Sequence, residues 1–401
     1  MYCTRNVTDS IVWVGANDRR LHLFENLFPI PNGVSYNSYV ILDEKTALMD
    51  AVDFSCCRQF MENVEHTLAG RKLDYLVVNH MEPDHGASIE EVLTRYPEAV
   101  LVGNAKTVVM MKQFFNLDLT GRTLEVKEGS TLSLGSHTLT FAMAPMVHWP
   151  EVMVSYESSE KVLFSADAFG TFGALNGHLF NDEYAFETEW LDEARRYYTN
   201  IVGKYGVQVQ GVLKKAATMD IQMICPLHGP VWRSNLAWFI GKYDTWSKYQ
   251  PEEKGVLIAY GSMYGNTENA ANVLAGLLAD AGVKKIAVYD VSKTEVSYLI
   301  GESFKYSHIV LAAPTYNGGV YPAMEHFIQD MKALNLQNRT VALMDNGTWA
   351  PMAAKQMQKT LEEMKQMTLI GQPLSVKSSL KEAQMEAVKA LAKQIAESVN
   401  A

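Results

Sequence analysis

Hydrophobic residues in the first part of the chain, up to about residue 250, form short β-like runs separated by polar turns. Two pairs of runs flank short polar turns and predict hairpins, residues 36–42 with 46–49 and residues 153–156 with 161–164. Between the hairpins, the pattern predicts a strand, a helix and a second strand, at residues 73–78, 88–95 and 101–103. This alternation indicates packed sheets flanked by helices.

The pattern changes after Trp238, where a helix-like segment gives way to a polar stretch at residues 248–254 that contains Pro251. We place a domain boundary there, with one domain at residues 1–250 and the other at 251–401. Beyond the boundary, β-like runs alternate with amphipathic helices, which predicts a doubly wound parallel sheet. The predicted strands are residues 255–260, 285–289, 308–313, 340–344 and 374–376.

The last predicted helix covers residues 380–399 and repeats its apolar positions at helical spacing, as a helix that covers a sheet does. These positions are Met385, Val388, Leu391, Ile395 and Val399. We assign this stripe to the core.

Composition narrows the class of protein. The 401 residues are 48% hydrophobic and 20% charged, as in a globular chain with a large core. No apolar run approaches the ~20 residues that cross a bilayer, and no signal segment begins the chain, so we expect a cytoplasmic protein. The net charge of -10 argues against binding to nucleic acid or an anionic membrane. Four cysteines without a C-x-x-C pair argue against a cysteine-based metal site.

Potential metal ligands cluster directly after the predicted strand at residues 73–78. Further candidates each follow or end an apolar run, and loops at strand ends can bring ligands together from distant parts of a chain. A set of seven would serve two metal ions, three ligands each with one carboxylate shared. The hard oxygen donor Glu82, between two imidazoles, favours iron. The candidate ligands are His80, Glu82, Asp84, His85, His148, Asp167 and His228.

A second group of candidates joins the first strand of the C-terminal domain to its first helix. A loop that binds phosphate needs glycine, hydroxyl donors and a helix N-terminus. A nucleoside triphosphate loop would carry a lysine where Asn266 stands, which favours FMN over a triphosphate. The candidates in this loop are Ser262, Met263, Tyr264, Gly265, Asn266 and Thr267.

Contacts to the flavin ring are expected from the loops after the third and fourth strands, because doubly wound sheets bind ligands at that edge. Trp349 offers a flat face for stacking on the ring, or else is a plain core aromatic. The candidates are Pro314, Thr315, Tyr316, Asn317, Gly318, Asn346, Gly347, Thr348 and Trp349.

The order of the seven ligands resembles that of the flavodiiron proteins, or A-type flavoproteins, and the resemblance covers essentially the whole chain. It includes residues 33–39 and the sequence His148-Trp149-Pro150. The family implies an α/β fold, a metallo-β-lactamase-like αββα sandwich followed by a flavodoxin-like doubly wound parallel sheet. Residues 345–348 depart from the glycine-serine-tyrosine-glycine type of sequence that is usual in the family.

Comparison with the family also implies the ligand assignment. It gives His80, Glu82 and His148 to one iron, and Asp84, His85 and His228 to the other, with Asp167 as the bridge. In some members the histidine that corresponds to His85 is turned away from the metal. Metallo-β-lactamase-type hydrolases, which mostly use zinc, commonly have a histidine where Glu82 stands.

The resemblance implies an oxidoreductase. It would pass electrons from an external donor, such as rubredoxin, through FMN to two iron ions and reduce O2 to water, NO to nitrous oxide, or both. Because no C-x-x-C pair follows the flavodoxin-like part, an external donor is expected. The family also implies a head-to-tail homodimer or a dimer of such dimers, with the flavin of one subunit beside the irons of the other.

The sequence is also compatible with two other classes of function. One is a zinc hydrolase of the metallo-β-lactamase type with an accessory flavodoxin domain, against which Glu82 counts. The other is an electron carrier with a purely structural first domain, against which the full ligand set counts, because buried charges without a metal are costly. Tyr197 or Tyr198 either donates a hydrogen bond near the substrate or packs in a helix.

Overall fold

The computed structural model describes all 401 residues and divides into two compact units. The first unit consists of Met1–Tyr198 and Val207–Tyr243, and the second of Thr199–Gly206 and Asp244–Ala401. The hydrophobic pattern did not predict that the short segment Thr199–Gly206 belongs to the second unit. The boundary at residue 250 stays a prediction.

The first unit contains all strands up to residue 225, most of them short. They are β1 (Arg5–Asn6), β2 (Ile11–Trp13), β3 (Ala16–Asp18), β4 (Leu23–Phe24), β5 (Phe28–Pro29), β6 (Val34–Tyr36), β7 (Tyr39–Leu42), β8 (Thr46–Met49), β9 (Tyr75–Val77), β10 (Val100–Gly103), β11 (Thr123–Glu125), β12 (Thr131–Ser133), β13 (Thr138–Met143), β14 (Met153–Glu157), β15 (Val162–Phe164) and β16 (Met223–Cys225).

Eight strands precede the first α-helix, and five more, β11 to β15, follow one another without a helix. Up to residue 247 the helices are α1 (Cys57–Leu68), α2 (Pro83–Gly86), α3 (Ile89–Arg95), α4 (Ala105–Phe114), α5 (Phe186–Glu189), α6 (Leu191–Tyr197), α7 (Gly206–Ala216) and α8 (Leu236–Ser247).

Two larger sheets form the first unit, one of seven strands in the order β1-β2-β7-β8-β9-β10-β11 and one of five in the order β12-β13-β14-β15-β16. Both predicted hairpins are present, as the antiparallel pairs β7–β8 and β14–β15. The apolar residues of β8 are buried throughout, as expected for a strand inside a sandwich.

The strand predicted at residues 36–42 is two strands, because polar residues interrupt it. The buried side chain of Asn37 donates to the carbonyls of Pro226 and Gly229, at 2.9 and 2.8 Å, and accepts from the Trp13 indole. These bonds fix the backbone between β6 and β7 and tie it to the loop after β16.

The second unit is built on one sheet. Its strands are β17 (Glu253–Tyr260), β18 (Ile286–Asp290), β19 (Tyr306–Tyr316), β20 (Gly319–Val320), β21 (Arg339–Asn346), β22 (Met367–Leu369) and β23 (Leu374–Val376). Its helices are α9 (Asn266–Asp280), α10 (Val296–Lys305), α11 (Pro322–Ala333), α12 (Ala353–Glu362) and α13 (Met385–Asn400).

The strand order β18-β17-β19-β21, with β22 and β23 both parallel to β21, is the doubly wound 2-1-3-4-5 arrangement, which confirms the predicted sheet. Alternate residues of β17 point to opposite faces: Leu257 belongs to one core cluster, and Val256 and Ile258 to the other.

The last helix begins at Met385 rather than at residue 380, where the apolar pattern placed its start. Residues Glu382–Gln384 form a 3-10 turn, in which the Gln384 side chain accepts from the backbone N–H of Lys381 at 3.2 Å. The polar turn therefore replaces the first helical turn. The predicted stripe from Val388 to Val399 is buried, as expected.

Arg339 anchors the segment that precedes β17. Its guanidinium is 1% exposed and donates to the backbone carbonyls of Ser303, Phe304 and Tyr249, at 2.8, 2.7 and 2.8 Å. The Tyr249 ring is buried against Phe304, and its hydroxyl donates to the carbonyl of Lys204 at 3.1 Å. The second unit consists of two segments that are separate in sequence, and these contacts attach both segments to the same core. No helix of either unit has the length and apolar character needed to cross a bilayer.

Candidate metal centre and flavin site

The first four candidate ligands follow β9, and a buried carboxylate fixes the backbone that presents them. Asp50 accepts from the backbone and side-chain N–H groups of Asn79, at 2.7 and 2.8 Å, and from the backbone N–H of His80 at 3.1 Å. His80 and Glu82 lie in the loop, and Asp84 and His85 in the short helix α2.

A first ligand group consists of His80, Glu82 and His148. The Glu82 Oε2 atom lies 3.1 Å from His80 Nε2 and 2.8 Å from His148 Nε2. His80 is fully buried, and the other two are 9% exposed or less. The three side chains therefore converge on one point from the loops after β9 and β13.

A second ligand group consists of Asp84, His85 and His228. The Asp84 Oδ2 atom lies 3.3 Å from His85 Nε2 and 3.2 Å from His228 Nε2, and the two nitrogens are 3.0 Å apart. His85 is turned towards this group here, unlike its counterpart in some flavodiiron proteins. Its ring is fully buried.

Asp167 contacts both groups through different oxygens. Its Oδ2 atom lies 3.3 Å from His80 Nε2 and 3.2 Å from His148 Nε2. Its Oδ1 atom lies 3.1 Å from His85 Nε2 and 3.7 Å from His228 Nε2. The structure thus brings all seven predicted ligands together as two groups that share one carboxylate.

The orientations of the His80 and His228 imidazole rings show whether the two ligand groups suit metal ions. His80 Nδ1 donates to the Glu151 carboxylate at 2.9 Å, and His228 Nδ1 donates to the Ser35 carbonyl at 2.7 Å. The Nε2 atoms of these two rings then face the carboxylates of Asp84 and Asp167. Both Asp84 oxygens and Asp167 Oδ1 are buried without a hydrogen-bond donor. Lone pairs that converge in this way fit a bound cation.

The ionisation of the side chains agrees with a centre that holds positive charge. Burial alone would raise the pKa of Asp167, but His80, His148 and His85 hold that pKa well below its usual range. Burial lowers the pKa of His148, yet Asp167 and Glu82 raise it to about 9. The Asp167 carboxylate is therefore ionised at neutral pH and available as a ligand.

Three supporting residues were not found from the sequence: Glu151, Ser35 and Asp50. Each acts on a candidate ligand through a hydrogen bond from outside the two groups. Glu151 follows the predicted ligand His148 by three residues, but an isolated glutamate carries no motif. Such contacts join distant loops, so only the folded chain identifies them.

Tyr197, rather than Tyr198, lies beside the metal centre. Its ring centre is 5.4 Å from that of His228, and the residue is fully buried. Its hydroxyl has no hydrogen-bond partner, and burial, followed by the charges of Asp167 and Asp84, raises the pKa of Tyr197 well above its usual value. A neutral phenol without a partner can still donate a hydrogen bond to a bound molecule.

A third group of possible ligands, His137, Glu157 and Glu160, lies away from this centre. Its polar atoms are bonded within the protein: His137 binds Asp43 at 2.9 Å, and Glu157 accepts from the backbone N–H of Glu160 at 2.7 Å. The hydrogen bonds of this group connect neighbouring strands.

The predicted flavin contacts surround a cavity of about 510 Å³ in the second unit, within the usual range for a cofactor site. Every predicted contact except Gly265 lines it, and so do Ala350, Met352 and Ser378, which were not among the predicted contacts. Ala350 ends the predicted loop after the fourth strand, Met352 lies just beyond that loop, and Ser378 follows β23. That strand pairs with β21, which brings Ser378 to the cavity.

Gly265 shapes the phosphate loop instead of lining the cavity. Its φ of +85° favours glycine, and it directly precedes α9. Because no side chain caps α9, the backbone N–H groups of its first turn remain available to a phosphate. Thr267 stands in that first turn and is buried.

Trp349 is 90% exposed, so its interpretation as a core aromatic is wrong. It lines the same cavity as Tyr264, which is 91% exposed. Stacking of Trp349 on a flavin ring stays a prediction.

Two protein-family models match consecutive parts of the chain. Residues 34–229 match the ODP family beta lactamase model, and residues 257–373 match a flavodoxin domain model. Together they confirm the predicted fold class, a metallo-β-lactamase-like domain followed by a flavodoxin-like one.

Similar proteins match along most of the chain. An uncharacterised protein of Methanocaldococcus jannaschii is 26% identical over 98% of both chains. The anaerobic nitric oxide reductase flavorubredoxin of Escherichia coli is 28% identical over 89% of this chain and 75% of its own.

Solved structures with the same fold also match the whole chain. Rubredoxin oxygen:oxidoreductase from the anaerobe Desulfovibrio gigas superimposes with a TM-score of 0.92 and 29% identity over 99% of both chains. The flavodiiron protein of Giardia intestinalis, at 24% identity, has the same fold, with a TM-score of 0.91 over 100% of this chain and 97% of its own. With its two domains in this order and its ligand groups in place, the chain belongs to the flavodiiron proteins.

Proposed function

We propose that this protein is an oxidoreductase that passes electrons from an external redox protein through FMN to two iron ions, where O2 is reduced to water or NO to nitrous oxide. The observation that carries the proposal is the placement of Asp167, which offers one oxygen to each ligand group. A carboxylate in that position suits a pair of metal ions.

His80, Glu82 and His148 would hold one iron, and Asp84, His85 and His228 the other, with Asp167 between them. When bound, the iron pair and FMN supply the redox chemistry, since amino-acid side chains do not store these electrons. The protein's own residues bind and orient these groups. Glu151 and Ser35 hold two of the imidazole rings, and the burial of the ligands keeps bulk water away.

Glu82 separates this proposal from a zinc hydrolase. Its Oε2 atom contacts both imidazoles of the first group, so a carboxylate stands where the hydrolases commonly use a histidine. A carboxylate adds negative charge and stabilises the higher oxidation state of a metal that changes oxidation state.

For FMN, the loop before α9 would bind the phosphate, and Trp349 would stack on the ring. Asn317 lines the same cavity and carries an amide group that suits the polar edge of a flavin. A lysine for a triphosphate is missing from the loop, in agreement with a monophosphate.

The electron donor in this proposal is rubredoxin or a similar redox protein. Support comes from the D. gigas relative, which is named a rubredoxin oxygen:oxidoreductase, and from the E. coli relative, which is named a flavorubredoxin. We further propose a head-to-tail homodimer, or a dimer of such dimers, located in the cytoplasm. No affinity for nucleic acid or membranes is expected from the net charge of -10.

Metal and flavin analysis of the purified protein tests the cofactors. Two irons and one FMN per chain are expected, while zinc without iron would contradict the proposal and favour the hydrolase. Protein refolded with iron alone and with zinc alone is the control. It distinguishes the metal that the site prefers from the metal that was available when the protein was made.

The substrate is tested by reducing the protein and mixing it with each gas in a stopped-flow instrument. Complete reduction of O2 takes four electrons and four protons, and coupling two NO molecules to nitrous oxide and water takes two of each. Rapid flavin and iron oxidation by at least one gas, with the matching product, is expected. Slow oxidation by both would contradict the proposal.

A further inference from the structure

An apolar cavity lies inside the first unit, between α7 and the sheet that contains β13, β14 and β15. It offers about 20 Å³ of room, compared with the roughly 10–15 Å³ that one water-sized molecule needs. Its size therefore suits a single small guest. The residues around it include Ala142, Val154, Leu163, Phe169, Val212 and Met219.

The few polar groups in its wall are bonded elsewhere. Ser165 Oγ donates to the Ala168 carbonyl at 2.7 Å. Lys215 Nζ donates to the Glu128 carboxylate at 2.7 Å and to the Met143 carbonyl at 2.8 Å. A buried water needs two to four polar partners. The cavity therefore favours an apolar guest over water.

The cavity lies on the other side of the loop that carries Asp167. Ser165, Ala168 and Phe169 contribute to its wall, whereas the Asp167 side chain contacts His80 and His85. One turn of backbone thus separates the cavity from the shared carboxylate. The Phe169 backbone is held in place because its N–H donates to the Tyr243 hydroxyl at 2.6 Å.

The outer wall is more exposed to solvent than the inner one. On α7, Val212 and Ala216 are partly exposed, while Leu163 and Phe169 in the sheet and loop are buried. Helix α7 is attached at this edge through the Lys215 contacts. Small movements of its side chains would let a diatomic molecule in from solvent.

We propose that this cavity binds a small apolar diatomic gas next to the metal centre and raises its local concentration there. The inference rests on the proposed function, because a reductase of O2 or NO gains from such a site. Both gases are small, weakly polar and poorly hydrated, so the cavity serves either one.

Xenon pressure on crystals of the protein tests the binding site directly, since dry apolar cavities take up xenon. We expect a xenon peak among Ala142, Leu163 and Phe169. Ala216→Phe should remove the peak by filling the cavity, whereas Ala217→Phe, at the exposed neighbouring position, should leave it unchanged. Val212→Phe serves as a second filling variant. No xenon in the wild-type cavity would overturn the proposal.

The kinetic test compares the same variants in the reduced, metal-loaded protein. Ala216→Phe or Val212→Phe should lower the second-order rate constant for oxidation by dissolved gas by roughly threefold or more, with flavin reduction by the donor unchanged. Equal rates in filled and control variants would mean a packing gap without a role. Xenon binding is read independently of iron and FMN, so failure of the cavity is distinguishable from failure of the proposed function.

Discussion

Glu151 orients the candidate ligand His80 from outside the two ligand groups, and its removal should weaken the first group. Its Oε1 atom accepts from His80 Nδ1 and from the Met81 backbone N–H, both at 2.9 Å. Loss of such a partner typically lowers metal affinity about 10- to 100-fold. We expect Glu151→Ala to release iron to a chelator faster than wild type.

Glu151→Gln is the matched control, because its amide oxygen can still accept from His80 but carries no charge. Its effect should be smaller than that of Glu151→Ala. Equal iron retention in all three proteins would contradict the role assigned to Glu151.

Asp167→Ala should remove the carboxylate that both ligand groups share. We expect loss of bound iron and of turnover, with FMN retained, because the flavin candidates lie in the other unit. Iron analysis, the flavin absorption spectrum and the rate of gas reduction measure these three outcomes. Unchanged turnover in this variant would refute the bridging assignment.

Tyr197→Phe should show whether the Tyr197 hydroxyl takes part in the reaction or whether the residue only packs in the core. The buried hydroxyl has no partner, and an unsatisfied buried group costs about 1–3 kcal/mol, so the variant should unfold at the same or a higher temperature than wild type. If the hydroxyl donates to the substrate, turnover should fall by about tenfold, equivalent to one hydrogen bond. Unchanged turnover with normal iron content would leave Tyr197 as a packing residue only.

At the residue scale, the sequence indicated the candidate ligands because their side chains carry the chemistry and lie at fixed spacing after apolar runs. It did not indicate Glu151 or Asp50, since neither has a motif and their roles come from contacts between distant loops. The exposure of Trp349 was equally unpredictable, because a loop tryptophan packs or projects according to its neighbours.

At the scale of elements, strand-end loops of the second unit build the flavin cavity, and Trp349 is its most exposed aromatic apart from Tyr264. Stacking on an aromatic ring typically contributes about 1–3 kcal/mol. Trp349→Ala should therefore raise the dissociation constant for FMN by about five- to hundredfold, measured by flavin fluorescence. Trp349→Phe should keep most of the affinity, and equal binding by all three proteins would contradict stacking.

Element positions followed the apolar pattern well where burial alone sets them, as in β8 and β17. They departed from it where a polar side chain competes for the backbone. Asn37 ends β6 early through its bonds to distant carbonyls, and Gln384 replaces the first turn of α13. Hydrophobic periodicity contains no information about such bonds.

At the scale of the whole molecule, the segment before β17 belongs energetically to the second unit. Tyr249 is 4% exposed, packs on Phe304 and accepts from Arg339. Loss of a buried aromatic side chain costs about 3–5 kcal/mol. A fragment of residues 244–401 should therefore be roughly 3 kcal/mol more stable to urea than one of residues 251–401.

Tyr249→Ala in the longer fragment is the control, and it should lower the stability to near that of the shorter one. Equal stability of the two original fragments would support a boundary at residue 250 instead. FMN binding should be retained by both, because the cavity lies beyond residue 261.

The two-sided contact of Asp167 has a consequence for how the protein acquires its metal. Because this buried carboxylate already directs one oxygen to each group, neither ion has to arrange the site of the other. The positive charge of the first ion should then make the second bind more weakly. At limiting iron, chains with one ion should form first, and specific activity should rise more steeply than in proportion to total iron if turnover needs both ions.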